Sequence, residues 1–181
     1  MFRRIAAMVM IAFFSSYAFG KVILPAKGPS LYTHYIVLDL EQPDSGDQQY
    51  KGFDVGLVLP MHKHLRASGG MKIIPDVVDD SKGVSINRNF YELYSSAGLT
   101  LDYLFRFNLD MVVAYAYESI DYNVAGTSEN QTDSQLAWGG QFGLEYQVID
   151  ELLFSAKYGI SVYEKDQKMA TYTLTGVVLH L

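Results

Sequence analysis

The sequence from Leu136 to Val148 reads Leu-Ala-Trp-Gly-Gly-Gln-Phe-Gly-Leu-Glu-Tyr-Gln-Val. Its character changes at every second residue, which is the side-chain period of a β-strand. One face is apolar and includes Trp138 and Phe142, whereas the other carries Gly, Gln and Glu145. Gly on a water-facing strand surface would pack nothing and would cost conformational entropy. Small and polar residues do fit the narrow interior of a barrel whose apolar face meets lipid, so the stretch predicts a membrane-spanning β-strand.

The same alternation recurs along the chain and predicts eight strands. They are residues 31–41, 50–59, 65–74, 90–105, 109–120, 136–148, 152–163 and 168–181. The connections alternate between long polar loops, such as 75–89 and 121–134, and short turns, such as 106–108. Outer-membrane barrels have short periplasmic turns, long external loops and an even number of strands, which places both chain ends in the periplasm. The predicted fold class is therefore all-β, an eight-stranded antiparallel up-and-down transmembrane β-barrel.

The first 20 residues predict a secretory signal peptide. Arg3 and Arg4 precede an apolar run at residues 5–14, and small residues follow at Ala18 and Gly20; this is the pattern of a cleaved export signal. The run is shorter than the roughly 20 apolar residues that a transmembrane helix needs. We therefore expect a signal peptide at 1–20 and an outer-membrane β-barrel domain at 21–181.

Composition excludes several functional classes. The formal net charge is −6, and an acidic chain is a poor candidate for binding nucleic acid. The sequence has no cysteine, so neither disulfides nor thiolate metal ligands are available. No cofactor motif is present, and we predict none.

Beyond residue 20 the chain resembles, in architecture, the family of small eight-stranded outer-membrane barrels, which includes the OmpA transmembrane domain, OmpX and the opacity-type adhesins. The final residues, 176–181, are similar to the terminal signal by which the barrel-assembly machinery recognises its clients. The matching positions are Gly176, Leu179 and Leu181; the family usually ends in Phe, and Leu181 departs from that. The resemblance implies the outer membrane of a Gram-negative bacterium, with outer-membrane lipid, lipopolysaccharide and the assembly machinery as partners.

Charged residues on the inward faces predict a plugged interior, because an eight-stranded barrel is just wide enough to be filled by its own side chains. The predicted interior charge network is Asp54, Arg66, Lys72, Glu92, Asp102, Glu118, Glu145 and Lys157. Equal distances from the second external loop predict that Lys72 faces Glu92. Similar depths from the 149–151 turn predict that Glu145 pairs with Lys157, directly or diagonally. Carboxylates outnumber cations in this set, so the alternative of a narrow pore would prefer cations.

The first strand alternates weakly, and we expect Ile36, Leu38 and Leu40 to face lipid. An exported soluble barrel of lipocalin type is the alternative fold. It would use Trp138 and Phe142 to line a ligand cavity, and it would expose the Gly, Gln and Glu face to water.

Enzymatic chemistry is weakly signalled. Some small outer-membrane barrels modify lipid A with a His and a Ser, but His34, His62, His64 and His180 are not in the His-x-Ser arrangement of the lipid A deacylases. We predict no catalytic residues. His62 and His64 offer two imidazoles in an exposed turn, which alone make a weak metal site.

The predicted external loops are acidic. Asp76, Asp79 and Asp80 cluster in the second one, and clustered carboxylates suit Ca²⁺ that bridges to lipopolysaccharide phosphates. Long loops on a rigid scaffold also suit an extracellular protein ligand. The sequence leaves solvated loops, cation bridging and adhesion open.

Overall fold

The computed structural model is a closed barrel of eight antiparallel strands. It describes residues 28–40, 48–81, 84–124, 127–165 and 169–181. The strands are β1 (Ser30–Leu40), β2 (Gln48–His62), β3 (Leu65–Ser81), β4 (Val84–Asp102), β5 (Arg106–Val124), β6 (Thr127–Ile149), β7 (Leu152–Tyr163) and β8 (Met169–His180). Each strand pairs with the next, and β8 pairs with β1. The predicted fold class is confirmed. The predicted signal peptide lies outside the described residues.

In the described part of the chain, no helix is long and apolar enough to span a bilayer.

The two ends of the barrel differ. Short turns join β2 to β3, β4 to β5 and β6 to β7, and these turns share one end, here called the turn end, with Ser30 and His180. The opposite end is called the loop end. The turn predicted at 106–108 was wrong, because Arg106 and Asn108 already belong to β5 and the chain turns at 103–105. Both side chains are buried in the lumen. The prediction failed because polar residues that face a lumen have the same composition as a turn.

At the loop end, two hairpins continue well past the barrel wall. The loops predicted at 75–89 and 121–134 were wrong, because β3 to β6 keep their pairing through most of these residues. Strand β6 has 23 residues, whereas about 9–11 span a bilayer. Outside the membrane both faces of a hairpin meet water, so the apolar alternation stops while the backbone hydrogen bonds continue. We call these segments the extended hairpins.

Apolar side chains form the outer surface of the barrel. Trp138 is 61% exposed and Phe142 46%, which confirms the faces predicted for the central stretch. The prediction for strand one was wrong: Ile36 and Leu38 point into the lumen, with 0% and 2% exposure. The side chain of Leu40 lies outside the described residues. This inward face begins with Tyr32 and is apolar near the loop end. The prediction failed because the hydropathy of a side chain does not distinguish an apolar lumen from lipid.

The lumen is divided into an apolar and a polar part. The apolar layer lies toward the loop end and consists of Ile36, Leu38, Tyr50, Ile74, Phe90, Tyr163, Ala170 and Leu174, all buried. Below it, the charged side chains fill the half nearer the turn end. Two tyrosines lie close against glycines: a Cβ added at Gly56 or Gly70 would overlap the Tyr32 hydroxyl, and one at Gly159 would overlap the Tyr172 ring. Inward glycines therefore make room for large side chains from other strands.

Candidate functional site

A buried network of charges occupies the polar part of the lumen, with Arg66 on β3 near its centre. The Arg66 guanidinium forms a bidentate ion pair with Asp110 on β5 and donates to Glu145 on β6 at 3.3 Å. Gln141 donates to the Asp110 carboxylate at 2.9 Å, and Asn108 donates to Glu145 at 2.9 Å. A bidentate guanidinium fixes both position and orientation, so this cluster ties β3 to β5 and β6 across the lumen.

A second guanidinium lies nearer the turn end. Arg106 donates to Asp102 at 2.6 Å and to Glu145 at 3.5 Å. Glu145 thus accepts from two arginines. Glu145 and Lys157 were predicted to lie opposite or diagonal to each other. Their register is diagonal, since Glu145 faces Ser155 and Lys157 faces Gly143, and the salt bridges of the described residues do not join the two side chains. The strand register identifies neighbours on adjacent strands. Arg66 is not such a neighbour of Glu145, because its long side chain crosses the lumen to bind the Glu145 carboxylate.

Lys157 is buried on β7 and has an unusual environment. Its ammonium lies 4.7 Å from the centre of the Tyr32 ring. The salt bridges of the described residues do not include it. The carboxylates of Glu145, Asp54 and Asp110 attract its charge, and Arg66 repels it. Lys157 therefore sits among carboxylates without a direct contact to one.

Lys72 and Glu92 form a separate pair directly below the apolar layer. They are Cα partners on β3 and β4 and make an ion pair. The Tyr163 hydroxyl donates to the second oxygen of Glu92 at 2.9 Å. The Lys72 ammonium lies 3.9 Å from the centre of the Tyr172 ring and 5.2 Å from that of Tyr94. Desolvated cation–π contacts of this kind are favourable, so Glu92 and the two rings together stabilise the buried ammonium.

Asp54 on β2 contacts two side chains, one on each carboxylate oxygen. The Tyr94 hydroxyl donates to one carboxylate oxygen at 2.8 Å, and His34 Nδ1 lies 3.1 Å from the other. Tyr32 and Tyr94 share a hydrogen bond of 2.5 Å between their hydroxyls, and Tyr32 also contacts the Gly69 carbonyl. The side chains of His34 and Asp54 are both fully buried.

The remaining sequence-predicted residues lie apart from this network. Glu118 faces Arg88 at 2.9 Å near the loop end, where both side chains are about a quarter exposed. Gly176 and Leu179 lie on β8, and Leu179 is exposed on the outer surface. Leu181 follows β8, and its backbone N–H donates to the Pro29 carbonyl at 3.0 Å.

The proposed cation site in the second loop involves Asp76, Asp79 and Asp80, whose side chains lie outside the described residues. Elsewhere, the side chains that the structure describes include no group of three or more His, Cys, Asp or Glu that could hold a metal ion.

A cavity of about 240 Å³ opens at the turn end of the barrel. Its lining includes His62 and Lys63 in the β2–β3 turn, and Arg66, Arg106 and Glu145 in the lumen. Water at the turn end thus reaches the first members of the charge network, while the apolar layer closes the opposite side.

Sequence reasoning missed several members of the network. Asp110 has the same inward phase as Glu118 on β5, so alternation alone would have found it. Arg106 was hidden by the wrong turn assignment. His34 has no local signal, because its role depends on the pairing of β1 with β2 that places it opposite Asp54.

No protein-family model and no curated protein sequence matches the chain. Solved structures do match. The attachment invasion locus protein Ail of Yersinia pestis has a TM-score of 0.67 at 14% identity, covering 84% of this chain and 97% of that one. Neisserial surface protein A has a TM-score of 0.70 at 14% identity, covering 86% and 99%. OprG of Pseudomonas aeruginosa has a TM-score of 0.62 at 10% identity, covering 88% and 98%. The chain has the fold of the small eight-stranded outer-membrane barrels, as its sequence resemblance predicted.

Proposed function

We propose that this protein is an integral β-barrel of a bacterial outer membrane, closed to solutes, that presents its extended hairpins outside the cell. The observation that carries the proposal is the apolar outer surface. Phe53, Leu109, Trp138 and Phe154 lie on four different strands and are each 56–61% exposed. Soluble monomers rarely expose contiguous apolar patches above a few hundred Å². A band of this kind around a closed barrel fits lipid.

The lipocalin-like alternative is disfavoured by the same surface. It needs aromatic side chains that line an internal cavity, but Trp138, Phe142, Phe154 and Tyr158 all point outward. The lumen contains ion pairs at the positions where a lipocalin would hold its ligand.

Cell fractionation and gel mobility test the localisation. We expect the protein in the outer-membrane fraction, released by detergent, with a mobility that differs between boiled and unboiled samples. Recovery from the soluble periplasmic fraction without detergent would overturn the proposal.

Closure of the lumen is supported by the apolar layer. Ile36 and Leu174 are fully buried there, and Phe90 packs against Tyr163 with ring centres 6.1 Å apart. Below them, Arg66 crosses the lumen to Asp110 and Glu145. An ion would have to pass an apolar barrier and break buried pairs. We expect purified protein in planar bilayers to show no large, stable conductance; such a conductance would support the narrow pore instead.

We infer that the turn end faces the periplasm, because periplasmic turns of such barrels are short and external connections are long. The extended hairpins then project from the cell surface. The terminal residues Gly176, Leu179 and Leu181 remain the proposed recognition signal for the barrel-assembly machinery.

The extended hairpins support a surface-interaction role. The registered pairs of β2 with β3 begin at Ile73, and those of β7 with β6 begin at Ala137. Beyond these residues, the part of the chain that the structure describes registers no strand against the outer edge of β3, and it places only the Glu164 N–H, which donates to the Leu136 carbonyl, against the backbone of the outer edge of β6. Such edges accept an extended peptide through main-chain hydrogen bonds. A protein partner with an extended segment therefore fits this surface.

Charge further restricts the partner. Ail of Yersinia pestis has been solved with a heparin analogue, sucrose octasulfate, which is a polyanion. Asp121, Glu129 and Asp133 lie on the extended part of the β5–β6 hairpin. These carboxylates repel sulfate groups, so we favour a partner segment that is neutral or basic.

Shortening one hairpin tests the interaction. Because Tyr122 and Glu129 are Cα partners, replacing residues 122–129 with Asn-Gly keeps the register and provides a two-residue hairpin turn. Cells with this variant should adhere less to host cells or matrix proteins, while the barrel keeps its heat-modifiable mobility. Unchanged adhesion by a correctly folded variant would contradict this role. The matching replacement of 80–85 in the β3–β4 hairpin, whose end residues Asp80 and Ser85 are also paired, shows which edge is used.

A further inference from the structure

The two outer edges of the extended hairpins differ in regularity. On β3, the edge begins at Pro75, which has no N–H, and the register shifts between Ile74 and Val77. Proline and bulges are features with which proteins prevent pairing at a sheet edge. On β6, the pairing with β5 runs from Thr127 to Glu145 without a register shift, and the strand contains no proline. The β6 edge is therefore the better template for an added strand.

The hydrogen-bonding phase of β6 identifies which backbone groups face this edge. The Glu164 N–H donates to the Leu136 carbonyl, so the backbone groups of Leu136 point toward the β7 side. Because these directions alternate along a strand, the backbone groups of Asn130 and Thr132 point the same way, whereas those of Gln131 point toward β5. A strand added to this edge would therefore bond to Asn130 and Thr132.

The chain itself shows which side chain is favourable beside this edge. After β7, Glu164 continues the pairing with β6, and the Lys165 ammonium donates to the Asp133 carboxylate at 2.5 Å. Lys165 and Asp133 have the same inward phase as Tyr163 and Ala137, which are buried. A lysine that runs alongside β6 is thus paired with a carboxylate diagonally across the two strands, which is a stabilising arrangement in a sheet.

The inward face of β6 is acidic along this edge. Asp133 lies directly opposite Glu118 on β5, and Glu129, which is exposed, follows on the same face four residues away. Like charges that face each other across strands are destabilising, whereas opposite charges are favourable. A strand beside β6 is therefore stabilised by Lys or Arg opposite Glu129 and Asp133, and one with carboxylates at these positions is repelled.

We propose that the outer edge of β6, at residues 128–134, binds an extended segment of a partner protein that carries Lys or Arg at two positions four residues apart. This inference rests on the surface-interaction role proposed above and specifies its site and its partner. The segment pairs antiparallel with β6. Its main chain bonds to Asn130 and Thr132, and its two basic side chains lie on the inward face against Glu129 and Asp133.

A synthetic peptide tests the site. The probe is the peptide Thr-Lys-Thr-Val-Thr-Lys-Thr-Val with capped ends, added to isotope-labelled barrel in lipid nanodiscs and followed by NMR. We expect the amide signals of Asn130 and Thr132 to shift, and at about nine-tenths occupancy their hydrogen exchange should slow by about tenfold. The Gln131 amide already pairs with β5 and should keep its exchange rate. The peptide with Glu in place of both lysines should not bind.

Two matched pairs of variants separate main-chain pairing from charge. Thr132→Pro removes the N–H that faces the edge and leaves the pairing with β5 intact, so the peptide should no longer bind. Thr132→Val keeps this N–H and should bind like the wild type. Glu129→Gln/Asp133→Asn should weaken binding by about fivefold, because two cross-strand ion pairs are lost. Asp79→Asn/Asp80→Asn removes the same charge from the β3–β4 hairpin and should leave the affinity unchanged.

The inference is overturned if the peptide protects no amide of β6, if the Glu peptide binds equally well, or if the β3 variant weakens binding as much as the β6 variant. If Thr132→Pro does not fold, the peptide N-methylated at its threonines decides. Its threonines cannot donate to β6, so it should not bind the wild-type barrel, and binding with unchanged affinity would refute the site.

Cell adhesion distinguishes a failure of this site from a failure of the surface role. If adhesion survives Thr132→Pro but is lost when a hairpin is shortened, the surface role stands and the β6 edge is refuted. If adhesion is lost with Thr132→Pro and retained with Thr132→Val, both are supported. If neither shortened hairpin changes adhesion, the surface role is refuted, and with it the inference that rests on it.

Discussion

The ion pair of Lys72 and Glu92 provides a quantitative test of the plugged lumen. Lys72→Met keeps the volume of the side chain but leaves Glu92, and Asp54 on the neighbouring strand, without this cation. Breaking a buried ion pair by removing one partner typically costs about 3–5 kcal/mol. We expect the upper half of that range, because both Lys72 and Glu92 are at most 1% exposed and the Tyr163 hydroxyl alone cannot neutralise the carboxylate.

The double variant Lys72→Met/Glu92→Gln should be more stable than Lys72→Met alone. Replacing a complete buried pair by neutral groups of similar volume is often close to neutral. The coupling energy in the double-mutant cycle should therefore approach about 3 kcal/mol, the top of the usual range. Equilibrium unfolding by urea in phospholipid vesicles measures it, with the single tryptophan, Trp138, as a lipid-facing fluorescent probe.

A matched surface pair is the control. Lys165 and Asp133 lie 2.5 Å apart, with side chains 60% and 35% exposed. Exposed pairs contribute about 0–1 kcal/mol, so Lys165→Met/Asp133→Asn should change the unfolding free energy little. If the Lys72 and Glu92 variants are equally mild and their effects add, the lumen is hydrated and its charges act independently.

Two further predictions concern the outer surface and the inward glycines. Phe142→Arg should destabilise the barrel by about 2–4 kcal/mol near the bilayer midplane, whereas Gln131→Arg, exposed on an extended hairpin, should be close to neutral in the same urea assay; the reverse order would mean that the faces are inverted. Gly159→Ala should cost about 1–3 kcal/mol through overpacking, because its methyl group would overlap the Tyr172 ring. Gly140→Ala is the control, since the nearest atom to its added methyl group is at an ordinary contact distance of 3.6 Å, and equal effects at the two glycines would refute close packing against Tyr172.

Much of the charge network was visible in the sequence because inward charges recur with the strand period. Lys72 and Glu92 could be placed opposite each other because they lie at equal distances from the same hairpin. One partner of Glu145, Arg106, is its Cα partner across the β5–β6 hairpin and was missed only because residues 106–108 were predicted to be a turn. The other partner, Arg66 on β3, could not be found in that way, because it reaches Glu145 across the lumen, where only closure of the barrel fixes the distance.

The sequence by itself determined the strand number, the antiparallel order and most of the outward face. These properties depend on local alternation, which a lipid surface on one side imposes on every spanning strand; β7, at Leu152–Tyr163, was predicted to the residue for this reason. Only the tertiary structure decided two other features: which way an alternating strand faces when both of its sides meet apolar surroundings, and how far strands continue where alternation is absent. Ile36 and Leu38 face an apolar lumen that resembles lipid in hydropathy. The extended hairpins stay paired in water, where the side-chain pattern no longer indicates the backbone conformation. His34 and Ser155 share the Cα partner Gly176 only because β8 closes the barrel between β7 and β1.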